Sequence, residues 1–266
     1  MNGSIDIRKF YEGLDRLFAA KDKSGIRDYM EKWLAEAENE GDTFAIISVS
    51  NELGGLCRST GEMQRALKLY DRVLELLKQE GFSESEHFAT ALINTGDVYI
   101  NAGKPDRALV YFLEAREMLE RLDLAGDYRM AALCNNISMA YRDSGEMKKA
   151  EEAVGRALEI ISLMPKCRGE LATTYTNLGE LKVRQGDLDG AVGTFSKACG
   201  IFEELGGTDV HYASACAALA QTYHLKGQDE DAVRWYEKAL EMIERDFGKS
   251  PFYHVVEASL KKLKGN

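Results

Sequence analysis

The feature that most constrains the fold is a set of glycines that recur at a nearly constant interval. These glycines are Gly61, Gly103, Gly145, Gly186 and Gly227, with spacings of 42, 42, 41 and 41 residues. Apolar residues recur at helical spacing on both sides of each glycine, which is the pattern of helices that bury one face. A chain that repeats one unit at a fixed interval folds as a stack of such units. The sequence therefore predicts a repeat protein.

Four further columns keep the register of the glycines. A small residue lies seven positions before each one, namely Gly54, Gly96, Ser138, Gly179 and Ala220. An alanine lies five positions after it, namely Ala66, Ala108, Ala150, Ala191 and Ala232. Next come Tyr70, Phe112, Val154, Phe195 and Tyr236, and then Val73, Ala115, Ala157, Ala198 and Ala239. Because small residues let two helix backbones approach closely, each unit is predicted to be a helical hairpin with the glycine in its turn.

Composition agrees with an all-α solenoid. The 266 residues include only three prolines, and the β-branched alternation that is typical of strands is scarce. We expect residues 1–42 to form an atypical N-terminal helical cap and residues 43–250 to form five repeats. Residues 251–266 are expected to form a C-terminal capping helix, because Ser250 and Pro251 match a helix cap and a first helical position.

Charge and hydropathy exclude several classes of partner. The formal net charge of −10 argues against a general nucleic-acid binder, because it would repel phosphates. No stretch approaches the ~18 apolar residues of a membrane span. The N-terminus lacks the apolar core of a signal peptide. We therefore expect a cytoplasmic protein without a membrane partner.

The sequence contains no pattern that is typical of a catalytic or metal site. Its four histidines form no HExxH motif, and it has no P-loop, GxGxxG or GxSxG motif. The five cysteines form no CxxC pair, and Cys134 and Cys216 lie on apolar helix faces, where cysteine packs as a small hydrophobe. We expect a non-catalytic protein that needs no cofactor.

The small residue, the turn glycine, the alanine and the aromatic column together resemble the tetratricopeptide pattern. The segments LGGLC, TGDVY, ISMAY, LGELK and LAQTY correspond to its first helix. The long period resembles the repeats of kinesin light chain and of bacterial peptide-sensing regulators. The resemblance covers residues 43–246, although the early tryptophan and late proline of the consensus are mostly missing. It implies a right-handed superhelix whose first helices line a concave face that binds an extended peptide or a partner's helix.

A polar column lies on the first helices, nine residues before each turn glycine. It contains Asn94, Asn136 and Asn177 in three consecutive repeats. The resemblance implies that this asparagine points into the groove and holds the ligand backbone. An amide side chain carries both a donor and an acceptor, so it can pair with a peptide unit without reading its side chain. The alternative is that these asparagines bond to neighbouring helices and stack the repeats.

Other polar residues of the first helices are predicted to face the same groove. They are Asn51, Asn101, Asn135, Arg142, Arg184, Asp97 and Glu180. Arg142 and Arg184 lie in adjacent repeats and suit a carboxylate or a phosphate. Pairing with Asp143 or Glu180 is an equal alternative. A clamp for a chaperone's carboxylate, which some members of the family form, is not expected because its lysines are absent from the matching columns.

Three functional hypotheses follow. The leading one is a protein–protein interaction module that binds an extended peptide or partner segment in its concave groove. The second is a scaffold that assembles with itself, as a homodimer or as a spacer. The third is a peptide-responsive regulator without an output domain of its own.

Overall fold

The computed structural model describes residues 5–20, 23–207 and 210–265. Every regular element within these residues is an α-helix, and successive helices form antiparallel hairpins. The chain divides into two compact units, Met1–Ala125 and Gly126–Asn266. The predicted all-α solenoid fold is thus confirmed.

The first unit contains six helices. They are α1 (Ile7–Ala19), α2 (Lys23–Glu40), α3 (Thr43–Ser59), α4 (Met63–Gln79), α5 (Glu86–Asn101) and α6 (Pro105–Arg121). The pairs α1–α2, α3–α4 and α5–α6 form hairpins, and the contacts of α2 with α3 and of α4 with α5 stack them. The first helices α3 and α5 also touch each other directly.

The second unit contains seven helices. They are α7 (Tyr128–Asp143), α8 (Met147–Ile161), α9 (Arg168–Gln185), α10 (Leu188–Glu204), α11 (Val210–Leu225), α12 (Asp229–Phe247) and α13 (Pro251–Leu263). The last helix packs on α12. The first helices α7, α9 and α11 contact one another in sequence order, so their free faces are neighbours.

The turn glycines end the first helix of each hairpin. After α3, Gly61 has a φ of +86°. Its N–H donates to the carbonyl of Arg58 at 3.3 Å, and the N–H of Glu62 donates to the carbonyl of Cys57 at 2.8 Å. These two bonds form a Schellman motif, which requires the left-handed conformation that glycine adopts at little cost. The same bonds and a positive φ occur at Gly103, Gly145, Gly186 and Gly227.

In three hairpins, a glycine of the first helix faces a buried aromatic ring of the second. A Cβ atom added to Gly96 would lie 2.3 Å from the Cε1 atom of Phe112. The same contact would be 2.6 Å between Gly179 and Phe195. Atoms do not approach so closely, so a larger residue at either glycine fits only if the ring moves.

The hairpin of α7 and α8 uses the opposite combination of sizes. At the corresponding positions it has Ser138 and Val154, both buried. The Ser138 hydroxyl donates to the carbonyl of Ala150 at 2.8 Å, so its polar atom is satisfied inside the hairpin. The hairpin of α11 and α12, with Ala220 and Tyr236, is intermediate. In the hairpin of α7 and α8, a larger residue on the first helix is therefore paired with a smaller residue on the second.

We predict that Gly96→Ser destabilises the protein, because the new side chain must displace the Phe112 ring. Overpacking of this kind costs roughly 1–3 kcal/mol of unfolding free energy. Adding Phe112→Val reproduces the combination found in the hairpin of α7 and α8 and should recover part of the loss. Urea unfolding of the wild type, the two single variants and the double variant measures this coupling.

The matched control for this cycle is Gly193→Ser in α10. A Cβ atom there has no neighbour within 4 Å, so this variant should not be destabilised by steric overlap. Strictly additive effects of Gly96→Ser and Phe112→Val would contradict the explanation by ring displacement.

Candidate functional site

The second unit contains a cavity of about 670 Å³ on the free faces of its first helices. Residues of α7, α9 and α11 supply nearly all of its lining. Asn136 and Asn177, from two successive repeats, both line it and are half-buried. The side-chain amide of Asn177 makes no hydrogen bond with any residue that the structure describes. The structure therefore brings two residues of the predicted asparagine column to one cavity.

A smaller cavity of about 280 Å³ lies further along α9. Glu180 lines both cavities, and Arg142 and Arg184 line the smaller one. The rest of its lining comes mainly from α11, with Ala218, Gln221 and Thr222. Glu180 lines both cavities, so they are neighbours along α9, and the two together are called the groove below.

Asn135 lies at the wall of the larger cavity and is buried. Its Nδ2 donates to the hydroxyl of Thr174 at 2.8 Å, which joins α7 to α9. That hydroxyl uses its own proton to donate to the backbone carbonyl of Glu170, also at 2.8 Å. Since Thr174 can only accept from Asn135, this network fixes the orientation of the amide. Asn135 therefore stacks two hairpins while it forms part of the wall.

Arg142 is held by two carboxylates. Its guanidinium donates from Nε to Asp143 at 3.0 Å and from Nη1 to Glu180. Only 12% of its side chain is exposed. Of the two alternatives for Arg142, the structure thus shows the ion pair. Arg184 lies in the last turn of α9 and is exposed.

The remaining predicted residues lie in the first unit. Nδ2 of Asn94 donates to Oδ1 of Asn51 at 2.8 Å, which links α5 to α3. This hydrogen bond therefore joins two neighbouring hairpins. Asn101 is the last residue of α5 and is exposed.

Asp97 is the one titratable side chain among the predicted site residues of the first unit, and its pKa is shifted. Its side chain is 23% exposed, and its Oδ2 lies 4.0 Å from Nη1 of Arg58. Burial raises the pKa of Asp97 to about 6, and the charge of Arg58 opposes this shift only in part. Desolvation disfavours the charged form of a carboxyl group, and a cation at this distance does not offset it.

Several residues of the larger cavity are not among those predicted from the sequence. Glu170 and Thr173 lie seven and four residues before Asn177, and both line it. Tyr128 and His211 line it as well. Helical periodicity counted back from the asparagine column would have found Glu170 and Thr173, because residues at these spacings share a helix face.

Other classes of site are not observed in the described part of the chain. None of its helices is both long enough and apolar enough to cross a bilayer. Its histidine, cysteine and acidic side chains form no group of three that could hold a metal ion. Cys134 and Cys216 are buried in the cores of their hairpins.

We predict that Asp97 makes the stability of the protein dependent on pH. Its pKa is about 6 in the folded state and 3.8 in the reference state. Between these values the folded state binds more protons, so the free energy of unfolding should fall as the pH rises from about 4 to about 6. Asp97→Asn should remove a part of this slope, on the order of 1–2 kcal/mol over the interval.

Urea unfolding at pH 4, 5, 6 and 7 measures this slope in the wild type and the variant. Asp15→Asn, at an exposed position of α1, is the matched control and should keep the wild-type slope. An unchanged slope in Asp97→Asn would show that another group is responsible.

Comparisons with known proteins agree with this architecture. The tetratricopeptide repeat model matches residues 45–121, 128–204 and 170–245. Lipopolysaccharide assembly protein B of Escherichia coli (strain K12) is 26% identical over 193 residues, or 73% of this chain. The chain spans only 42% of the length of that relative.

Two solved structures share the fold at low identity. BtubC (BKLC) from P. vanneervenii is 20% identical, with a TM-score of 0.66 over 90% of this chain and 94% of its own. NprR in complex with its cognate peptide NprX is 15% identical, with a TM-score of 0.72 over 98% of this chain and 75% of its own. The repeat model matches well over half of the sequence, and the chain therefore belongs to the tetratricopeptide repeat family.

Proposed function

We propose that this protein is an interaction module that binds an extended peptide, or an extended segment of a partner protein, in the groove of its second unit. The observation that carries the proposal is that Asn136 and Asn177 line one cavity. The proposed activity involves no catalytic step and no cofactor.

The placement of the two amides suits an extended backbone that lies along α9. Asn136 on α7 and Asn177 on α9 line one cavity from two neighbouring helices, and packed helices lie about 8–10 Å apart. An extended segment between them would therefore present one edge of its backbone to each amide. Each amide can donate to a carbonyl and accept from an N–H of the bound chain.

The lining of the larger cavity supports a peptide over a small polar solute. Its volume of about 670 Å³ falls within the ~300–1,000 Å³ that is usual for ligand sites. Tyr128, Met139 and Ile161 supply apolar surface, and methionine in particular adapts to differently shaped side chains. Ala132 and Gly169 leave room for a backbone to approach α7 and α9.

The fold comparison supports the proposal at the level of architecture. NprR, a chain of the same fold, was solved in complex with its cognate peptide NprX. At 15% identity this likeness concerns the fold alone. Peptide binding by this protein is therefore proposed from the residues that line its own groove.

We predict that Asn136→Ala together with Asn177→Ala weakens peptide binding by about tenfold or more, since each lost hydrogen bond costs roughly 0.5–1.5 kcal/mol. Selection from a random dodecapeptide display library on the wild-type protein would supply peptides. Fluorescence anisotropy with a labelled selected peptide then gives the dissociation constants of both proteins. Circular dichroism should show similar helicity and melting.

The matched control is Asn39→Ala, an exposed asparagine of α2 that lines neither cavity of the second unit. It should bind as the wild type does. The groove proposal fails if the wild type enriches no peptide, or if the double variant binds selected peptides with unchanged affinity.

A further inference from the structure

Two side chains of opposite charge stand at opposite ends of the groove. Glu170 lies in the first turn of α9 and lines the larger cavity. Arg184 lies in the last turn of α9 and lines the smaller cavity. The difference of fourteen residues (184 minus 170) corresponds to about 21 Å along the helix at 1.5 Å per residue.

Asn177 lies midway between these two charges. It follows Glu170 by seven residues and precedes Arg184 by seven, so the three residues lie on one stripe of α9. Seven residues are close to two full turns of an α-helix. Along this stripe α9 presents a carboxylate, then an amide, then a guanidinium, and Glu180, which is paired with Arg142, lies between the last two.

Both end charges are uncompensated within the described residues, since neither side chain makes an ion pair there. The other charges of α9 are already engaged. Lys182 pairs with Asp187 at 2.7 Å, and Glu180 pairs with Arg142. The middle of the groove is thus neutralised in large part, and its ends are not.

The same signs also suit the dipole of α9, which favours anions near the first turn and cations near the last. That role needs only a position in the terminal turns and no particular face. Glu170 and Arg184, however, share their face with Asn177, and each lines a cavity. Their placement on this stripe therefore points to a ligand as well as to the helix itself.

We infer that the bound segment is oriented by charge, with a positive group at Glu170 and a negative group at Arg184. A span of about 21 Å corresponds to about six residues of extended chain. The positive group is a lysine or arginine side chain or a free amino terminus, and the negative group is a carboxylate of either source. This inference rests on the proposed function, because Asn177 holds the backbone between the two charges.

The test uses three capped heptapeptide pools with neutral residues at the five central positions. One pool has lysine first and glutamate last, the second has the reverse order, and the third is neutral throughout. Because the backbone has a direction, wild-type protein should prefer one charged pool over the other by about tenfold in anisotropy titrations. This preference should weaken as the salt concentration rises.

The decisive variant exchanges the two charges, Glu170→Arg with Arg184→Glu. It should prefer the pool that the wild type disfavours, an effect that a role in the helix dipole would not produce. A second variant, Glu170→Gln with Arg184→Gln, keeps the side-chain shapes. It should bind the two charged pools equally.

A neutral pool with free termini shows whether the charged groups of the ligand are its side chains or its chain termini. If it binds more tightly than the same pool with capped ends, the charges are those of the chain termini. Equal binding of these two neutral pools assigns them to side chains.

Three results would overturn the inference. They are equal binding of both charged pools to the wild type, a preference that the charge exchange leaves unchanged, and no gain of either charged pool over the neutral one. None of them decides the proposed function, which depends on the display-selected peptides and on Asn136→Ala with Asn177→Ala.

Discussion

The close approach of the two helices within each hairpin is the constraint on which the rest of the structure depends. A ring such as that of Phe112 fills the space where Gly96 has no side chain, so the helices can neither slide nor rotate without a clash. This contact fixes which face of the first helix is buried. In the second unit Gly179 and Phe195 make this contact, and it leaves the opposite face of α9 available for the groove.

Much of the fold could be predicted because its determinants are local. The positive φ at Gly61 and the close contact at Gly96 each favour glycine at a fixed position of the repeat, so both can be recognised in the sequence. The hydrogen bonds of the site could not be predicted in this way. Asn94 and Asn177 occupy the same column, yet only Asn94 bonds to an asparagine of the preceding first helix.

The two repeats differ at a neighbouring position of the same helix. Three positions before Asn177 stands Thr174, whose hydroxyl takes the amide of Asn135. Three positions before Asn94 stands Ala91, which offers no acceptor in its side chain, and Asn51 bonds to Asn94 instead. Thr174 sets the orientation of the Asn135 amide and leaves its buried Oδ1 atom without a hydrogen-bond partner among the described residues. Such contacts depend on residues of adjacent helices, so the column pattern alone does not predict them. Arg142 is a second example, because its ion pairs with Asp143 and Glu180 depend on which side chains lie nearby in the fold.

The hairpin turns have a consequence for how such a protein can change over time. The bonds that close each turn, such as those of Gly61 and Glu62, join main-chain atoms only. Folding of a hairpin thus makes little demand on the outward residues of its first helix. The outward residues of one hairpin can therefore change in evolution without disturbing the fold of the neighbouring hairpins.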